Sequence, residues 1–248
     1  KTGKEYALST NSDIYFYNIE TQKTVNKTEG MMGYDQNPVF SPDGKYLAWE
    51  SMERDGYEAD KIRLFVMNLE TGEKTDYSAN FDQNSTNIVW SAGSKSLYFI
   101  SCWHALTQVY QLDLATKKIS PITKGVHDYA YVAEAKGKLI GMKHSMSKPD
   151  EIYSIDLKSG AETELSFINK PILDQLTLAK VEERWVKTTD NKDMLTWVIY
   201  PPHFDPSKKY PTILFCEGGP QSTVSQFWSY RWNFQQMAAN GYIVVAPN

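Results

Sequence analysis

Cysteine and histidine are scarce. Two cysteines, Cys102 and Cys216, and four histidines, His104, His127, His144 and His203, are all that 248 residues contain. Two distant cysteines cannot build the disulfide framework of a small secreted domain, and both read as buried free thiols. The histidines lack H-E-x-x-H or similar ligand spacing, so neither a metal nor another cofactor is expected; each reads as a surface or loop histidine. An excess of basic charge is missing as well. The 26 Lys and Arg are outnumbered by 30 Asp and Glu, for a net charge of −4, which leaves no electrostatic footprint for nucleic acid. No apolar run approaches the roughly 20 residues of a membrane-spanning helix, so a bilayer partner is not expected either.

Aromatic residues are plentiful. Sixteen Tyr and seven Trp favour β structure, because flat rings pack well on a pleated surface. They fall within a repeat. An alternating strand ends in Asn or Asp, then an apolar residue and a polar turn follow. The pattern occurs at Ile14–Thr21, Arg63–Gly72, Val109–Thr116 and Ile152–Gly160, with anchors Asn18, Asn68, Asp113 and Asp156 spaced 50, 45 and 43 residues apart. Asn and Asp suit the anchor because their side chains accept bonds from the amides of the tight turn that follows.

A second landmark keeps step with the first. A glycine-containing turn leads into a strand at Gly3–Leu8, Gly44–Trp49, Gly93–Phe99 and Gly137–Gly141, and a further strand precedes it at Pro38–Ser41, Asn87–Ser91 and Asp128–Val132. Four antiparallel strands per unit is the period of a β-propeller blade. A β-sandwich of accidental similarity would not hold two landmarks in register over four units. The first unit lacks its leading strand, so the chain is expected to start inside a blade. The second unit carries an irregular loop, Ser51–Lys61, rich in charge. It reads as a binding loop on a rigid scaffold or as a solvated hairpin.

The periodicity stops near Asn169–Pro171. Two strands are expected at Glu182–Lys187 and Met194–Tyr200, then a proline-punctuated loop, Pro201–Pro211. Thr212–Cys216 is a short apolar run that reads as a buried strand. It enters Glu217-Gly218-Gly219-Pro220, where two glycines allow unusual dihedrals and a close approach to the amides. A helix in the later part of Phe227–Asn240, stopped at Gly241, and a buried strand at Tyr242–Ala246 complete the order. A strand ending in exposed amides inside a βαβ-like run suits half of an oxyanion hole. The expected fold is thus all-β propeller blades, about four in a partial propeller over residues 1–175, followed by the N-terminal part of an α/β-hydrolase domain over 176–248.

Propeller units followed by strand, Gly-Gly-Pro turn, helix and strand resemble the prolyl oligopeptidase family of serine peptidases. Met52–Asp60, Glu217–Gln221, Tyr230–Trp232 and Asn240–Asn248 look like its dipeptidyl peptidase V and acylaminoacyl-peptidase branch. The resemblance covers essentially the whole chain. It implies cleavage of short peptides by a Ser-Asp-His triad, with Gly219 and neighbouring Gly218 as backbone donors of the oxyanion hole. Glu217 stands where relatives carry His or Tyr; an ionised carboxylate cannot donate, so Glu217 is left to orient the turn or touch substrate. Carboxylates from the propeller would hold the free amine of a dipeptidyl substrate, and Glu53, Glu58 and Asp60 are the candidates. No G-x-S-x-G elbow occurs and no histidine matches the family's base, so the chain by itself is expected to be inactive, a fragment that pairs with the remainder of its own polypeptide. A periplasmic or secreted location is a further implication of the resemblance, with a cytoplasmic one left open, and a second copy of the chain is a candidate partner. A non-catalytic propeller that binds a protein, and an esterase of the same fold, are the alternative functions.

Overall fold

The computed structural model describes residues 7–219 and 222–248. Most of the expected strand Gly3–Leu8, and Pro220 and Gln221 of the turn, lie outside the described residues. Strands β1 (Tyr15–Tyr17) and β2 (Thr24–Asn26) form a two-stranded sheet. Three four-stranded sheets follow, each an antiparallel meander in chain order. The first comprises β3 (Asp35–Phe40), β4 (Tyr46–Ser51), β5 (Arg63–Asn68) and β6 (Lys74–Asp76). The second comprises β7 (Thr86–Trp90), β8 (Ser96–Trp103), β9 (Leu106–Asp113) and β10 (Lys118–Pro121). The third comprises β11 (Asp128–Ala135), β12 (Lys138–Ser145), β13 (Lys148–Ile155) and β14 (Glu162–Glu164). These are the blades the repeat called for, the first unit contributing two strands among the described residues.

The anchors act as their chemistry requires. Asn18 accepts from the Thr21 amide at 2.7 Å, Asn68 from Glu70 and Thr71, Asp113 from Thr116 at 2.8 Å, and Asp156 from Lys158 and Ser159. The glycine turns are less uniform. Gly44 and Gly137 take the left-handed conformation at φ +70° and +80°, but in the second four-stranded blade Ser94 takes it at φ +56° while Gly93 does not. The Ser94 hydroxyl accepts a bond from the Asp43 amide, which helps to hold that strained residue.

The chain divides into two compact units. One is residues 1–101 with 109–122 and 134–137; the other is 102–108, 123–133 and 138–248. In the first, Ala48, Leu64, Ile88, Leu97, Phe99 and Leu112 lie among one buried cluster, and Ile14, Leu47, Trp49 and Met67 form another. Two of its buried polar side chains are held by distant partners. The Trp49 indole donates to Asp35 at 2.8 Å, and the Glu50 carboxylate accepts from Asn37 Nδ2 and the Asn87 amide, both at 2.9 Å. Asn37 and Asn87 sit at matching bulges where the ladders β3–β4 and β7–β8 slip register. Burial pushes the Glu50 carboxyl above its usual range against those two bonds.

In the second unit, α1 (Lys170–Leu173) is a single turn with Pro171 at its start, where a missing amide costs nothing. β15 (Val181–Lys187), β16 (Asp193–Ile199), β17 (Thr212–Leu214) and β18 (Ile243–Pro247) form a mixed sheet in the order β15-β16-β18-β17. β16 runs antiparallel to β15 and β18, and β17 runs parallel to β18. The parallel pair is connected through α2 (Phe234–Ala239), capped by Asn233 accepting from the Gln236 amide and ended at Gly241, φ +88°. Leu195, Trp197, Ile199, Val224, Phe234, Ala238, Val244 and Ala246 belong to its core.

Two expectations of burial fail. β17 is an edge strand: Leu214 is 60% exposed and Cys216 is exposed, whereas a buried run was expected. An apolar pentapeptide shows its strand character but not how many of its sides are covered. His127 and His144, read as surface or loop residues, have side chains only 13% and 12% exposed. His144 belongs to β12. Its Nδ1 lies 2.8 Å from Asp150, and His127 Nε2 lies 3.3 Å from Glu162.

Candidate functional site at the Gly-Gly turn

β17 is the third strand of its sheet in chain order, and the segment after it occupies the position from which α/β-hydrolases take one oxyanion-hole amide. Phe215 extends the parallel pairing, its amide donating to Val245 at 2.8 Å. Pairing then stops. Glu217, Gly218 and Gly219 are exposed, and Gly219 sits at φ +80°, a conformation that favours glycine. A Cβ added at Gly218 would meet nothing within 4 Å. Among the described residues, neither glycine's amide nor the Glu217 carboxylate has a hydrogen-bond partner. The turn borders a depression of about 890 Å3 lined by Phe215, Cys216, Glu217, Gly218, Ser225 and Trp232, among others.

The turn is followed by a tightly held segment. The Ser222 amide donates to the Gly219 carbonyl at 3.0 Å. Val224 is fully buried, and Asn248, just beyond β18, grips it twice: Oδ1 accepts from the Val224 amide at 2.7 Å and Nδ2 donates to its carbonyl at 3.1 Å. The Trp197 indole donates to the same carbonyl at 2.9 Å. Ser225 lies beside buried Asp128, which accepts from the Thr107 amide at 2.7 Å. Burial pushes the Asp128 carboxyl up, against that bond and nearby Ser225, His144 and His127. Gln226, 2% exposed, accepts from the Met146 amide at 3.4 Å. Gln235 of α2 bonds both backbone groups of Ala179 and the Ser147 hydroxyl. Sequence reading missed all of these, because none sits in a motif and each meets its partner only through the fold.

The acidic loop belongs to the first unit. Asp60 is withdrawn: its side chain is 6% exposed, it pairs with the Arg54 guanidinium through two nitrogens, and it accepts from the Arg54 amide at 2.7 Å. Those bonds hold its carboxyl below the usual range. Asp55 ties the loop to the Thr10 and Asn11 amides at 2.7 and 3.0 Å. Glu53 is 71% exposed, with Arg63 3.9 Å away. Glu58 is exposed and accepts from the Tyr34 hydroxyl at 3.3 Å. Glu53 and Glu58 therefore keep exposed carboxylates, each with one weak partner. Gly218, Gly219 and Glu217 are brought together in the second unit, and the loop carboxylates in the first.

One further polar cluster lies in the β11–β14 blade. Glu162 accepts from Tyr129 at 2.5 Å and Lys143 at 2.8 Å and faces His127. Burial raises its carboxyl, but the nearby His127 and the bonds from Lys143 and Tyr129 outweigh that and hold it at about 2. Gly141 makes room for the Tyr129 ring, since a Cβ there would stand 2.6 Å from a ring carbon. Among the described residues no group of three or more His, Cys, Asp or Glu is placed to hold a metal ion, and no helix is long and apolar enough to cross a membrane.

These blades and the mixed sheet have counterparts in known proteins. The TolB beta propeller domain family matches residues 6–172. Dipeptidyl-peptidase 5 of Porphyromonas gingivalis is 54% identical over 248 residues, all of this chain and 36% of that protein. Dipeptidyl-peptidase 5 of Aspergillus fumigatus is 31% identical over 242 residues, 92% of this chain and 33% of that protein. Among solved structures, acylaminoacyl peptidase of Pyrococcus horikoshii superposes with a TM-score of 0.78 over 95% of this chain and 35% of its own, at 22% identity, a likeness of fold. Blades and mixed sheet together define the propeller-plus-hydrolase class. The chain belongs to the TolB-type propeller domains through residues 6–172 and, with the strands that follow, to the prolyl oligopeptidase family. It spans about a third of the length of the curated relatives it matches.

Proposed function

We propose that this chain is the propeller and oxyanion-turn portion of a serine exopeptidase that releases dipeptides or acyl-amino acids from short peptides. The observation that carries the reading is the Gly218–Gly219 turn. It follows the third strand of a hydrolase-type sheet, and its amides have no partner among the described residues. The identity to dipeptidyl-peptidase 5 along the whole chain supports the substrate class.

In this mechanism a serine outside these 248 residues attacks the scissile carbonyl, and a histidine relays the proton to the leaving amine. The carbonyl oxygen becomes an oxyanion. The Gly219 amide, with Gly218 beside it, donates to that oxygen more strongly than to the ground-state carbonyl, and only the difference accelerates the reaction. Removing one such donor costs roughly 100- to 1000-fold in kcat. Glu217 cannot donate and adds negative charge beside the turn, so the stabilisation falls to the backbone. Glu53 and Glu58 are assigned to the substrate's free amine, while Asp60 orders their loop through Arg54. None of the four histidines serves as the base, and the chain alone is inactive.

The test is hydrolysis of a dipeptidyl anilide by the complete polypeptide and by this chain. Activity that is lost on Gly219→Ala and is absent from the 248-residue chain supports the reading. Serine-dependent turnover by the chain alone would overturn it, as would a complete polypeptide that cleaves only esters or nothing at all.

A further inference from the structure

We propose that Asn248 is a positioning residue for the Gly218–Gly219 turn, its carboxamide holding the segment after the turn in register with β18. The inference rests on the oxyanion reading of the turn and adds how the turn is kept in place. Gly219 at φ +80° is anchored on one side by β17, whose last pairing contact is the Phe215 amide on Val245. On the other side its carbonyl accepts from Ser222, and the next fixed point is Val224. Val224 is held by three bonds: two from Asn248 at 2.7 and 3.1 Å and one from Trp197 at 2.9 Å.

Asn248 is suited to this as no alkyl side chain is. Its amide presents one acceptor and one donor in a plane, the same pair that a neighbouring strand would offer. Val224 thus receives strand-like pairing although it lies in no strand. Asn248 is itself fixed, since its amide donates to the Leu195 carbonyl of β16 at 2.9 Å. Both walls of the turn therefore refer to one rigid frame, β16 and β18. Gln226, accepting from the Met146 amide, continues the hold two residues further on. A donor displaced by about 1 Å from a developing oxyanion loses roughly 100-fold, so slack at Val224 is felt at the turn without any loss of the donor itself.

The experiment uses the complete polypeptide, with active sites counted by titration so that misfolded material does not enter the rates. The probes are a dipeptidyl anilide, a dipeptidyl trifluoromethyl ketone, whose tetrahedral adduct carries an oxyanion, and the product dipeptide as a ground-state ligand. For Asn248→Ala, kcat should fall roughly 10- to 100-fold, with ketone inhibition weakened to match. Product affinity should stay within about two-fold, because ground-state binding does not use the oxyanion donors. Asn248→Asp keeps an acceptor for the Val224 amide, loses the donor to its carbonyl, and should fall between, at roughly 3- to 10-fold; if the alanine variant does not fold, this variant decides. Ketone and product affinity falling together, or an unchanged kcat per titrated site, would overturn the proposal, since a purely structural role predicts one or the other. Gly219→Ala, which keeps the amide but strains the φ +80° conformation that aims it, separates the two claims in parallel. If it leaves ketone affinity unchanged, the oxyanion reading fails and the proposal falls with it. If it weakens ketone binding while both Asn248 variants match wild type, only the clamp is refuted.

Discussion

Glu162→Gln removes the charge at the centre of the β11–β14 blade while keeping its shape. Glu162 accepts from Tyr129 and Lys143 and faces His127, and its carboxyl is held at about 2 against an ordinary value of 4.5. Each tenfold change in proton affinity is worth about 1.4 kcal/mol, so full ionisation stabilises the folded state by about 3 kcal/mol. The sign is that of a depressed acid. The contribution is complete above the unfolded carboxyl's value and fades as pH falls towards about 2. Urea unfolding of wild type and variant, followed by tryptophan fluorescence, should show a gap of about 3 kcal/mol at pH 7 that narrows to about 2 kcal/mol at pH 3.5. A Lys143→Met partner variant completes a double-mutant cycle, and its coupling to Glu162 should weaken over the same pH range. A gap that stays constant between pH 7 and pH 3.5, or one below about 0.5 kcal/mol throughout, would refute the reasoning, because it would mean that burial cancels the contacts to Tyr129, Lys143 and His127.

Further outcomes are expected elsewhere in the chain. Asp60→Ala strands the Arg54 guanidinium and its amide and should destabilise the first unit by about 1–3 kcal/mol, with new protease cleavage within the 52–62 loop. Glu53→Gln, at an exposed and weakly paired site, should change stability by less than about 0.5 kcal/mol in the same denaturation assay. In this chain, Cys216 should react with an aromatic disulfide reagent well before Cys102, since Cys216 is exposed while burial pushes the Cys102 thiol up. Equal rates for the two thiols would contradict the edge position of β17.

The blades were legible because their signals are local. An Asn or Asp closing its own turn needs only the next three residues, and a β-strand advertises its buried face by alternation, as β13 does with Tyr153 and Ile155 buried on either side of Ser154. The Gly-Gly turn was legible for the same reason, since its conformation is a property of a few consecutive residues.

Asp128, His144 and Glu162 illustrate what could not be read. Each is a polar residue in a strand, and the alternation rule sends such residues to solvent unless distant partners are known. Those partners, including Ser225 for Asp128 and Tyr129 for Glu162, arrive from 97 and 33 positions away. Asp60 looked as available as Glu53 and Glu58 until the loop folded Arg54 back on it. Cys216 looked buried because apolar neighbours signal a strand but not whether a second strand flanks it. By itself the sequence determined the repeat, the strand–turn–helix–strand order and the glycine turn, all set by neighbours along the chain. Only the tertiary structure decided which carboxylates are spent on internal pairing, the order of the strands in the mixed sheet, and that Asn248 reaches across to Val224, because those depend on distances that sequence separation does not encode.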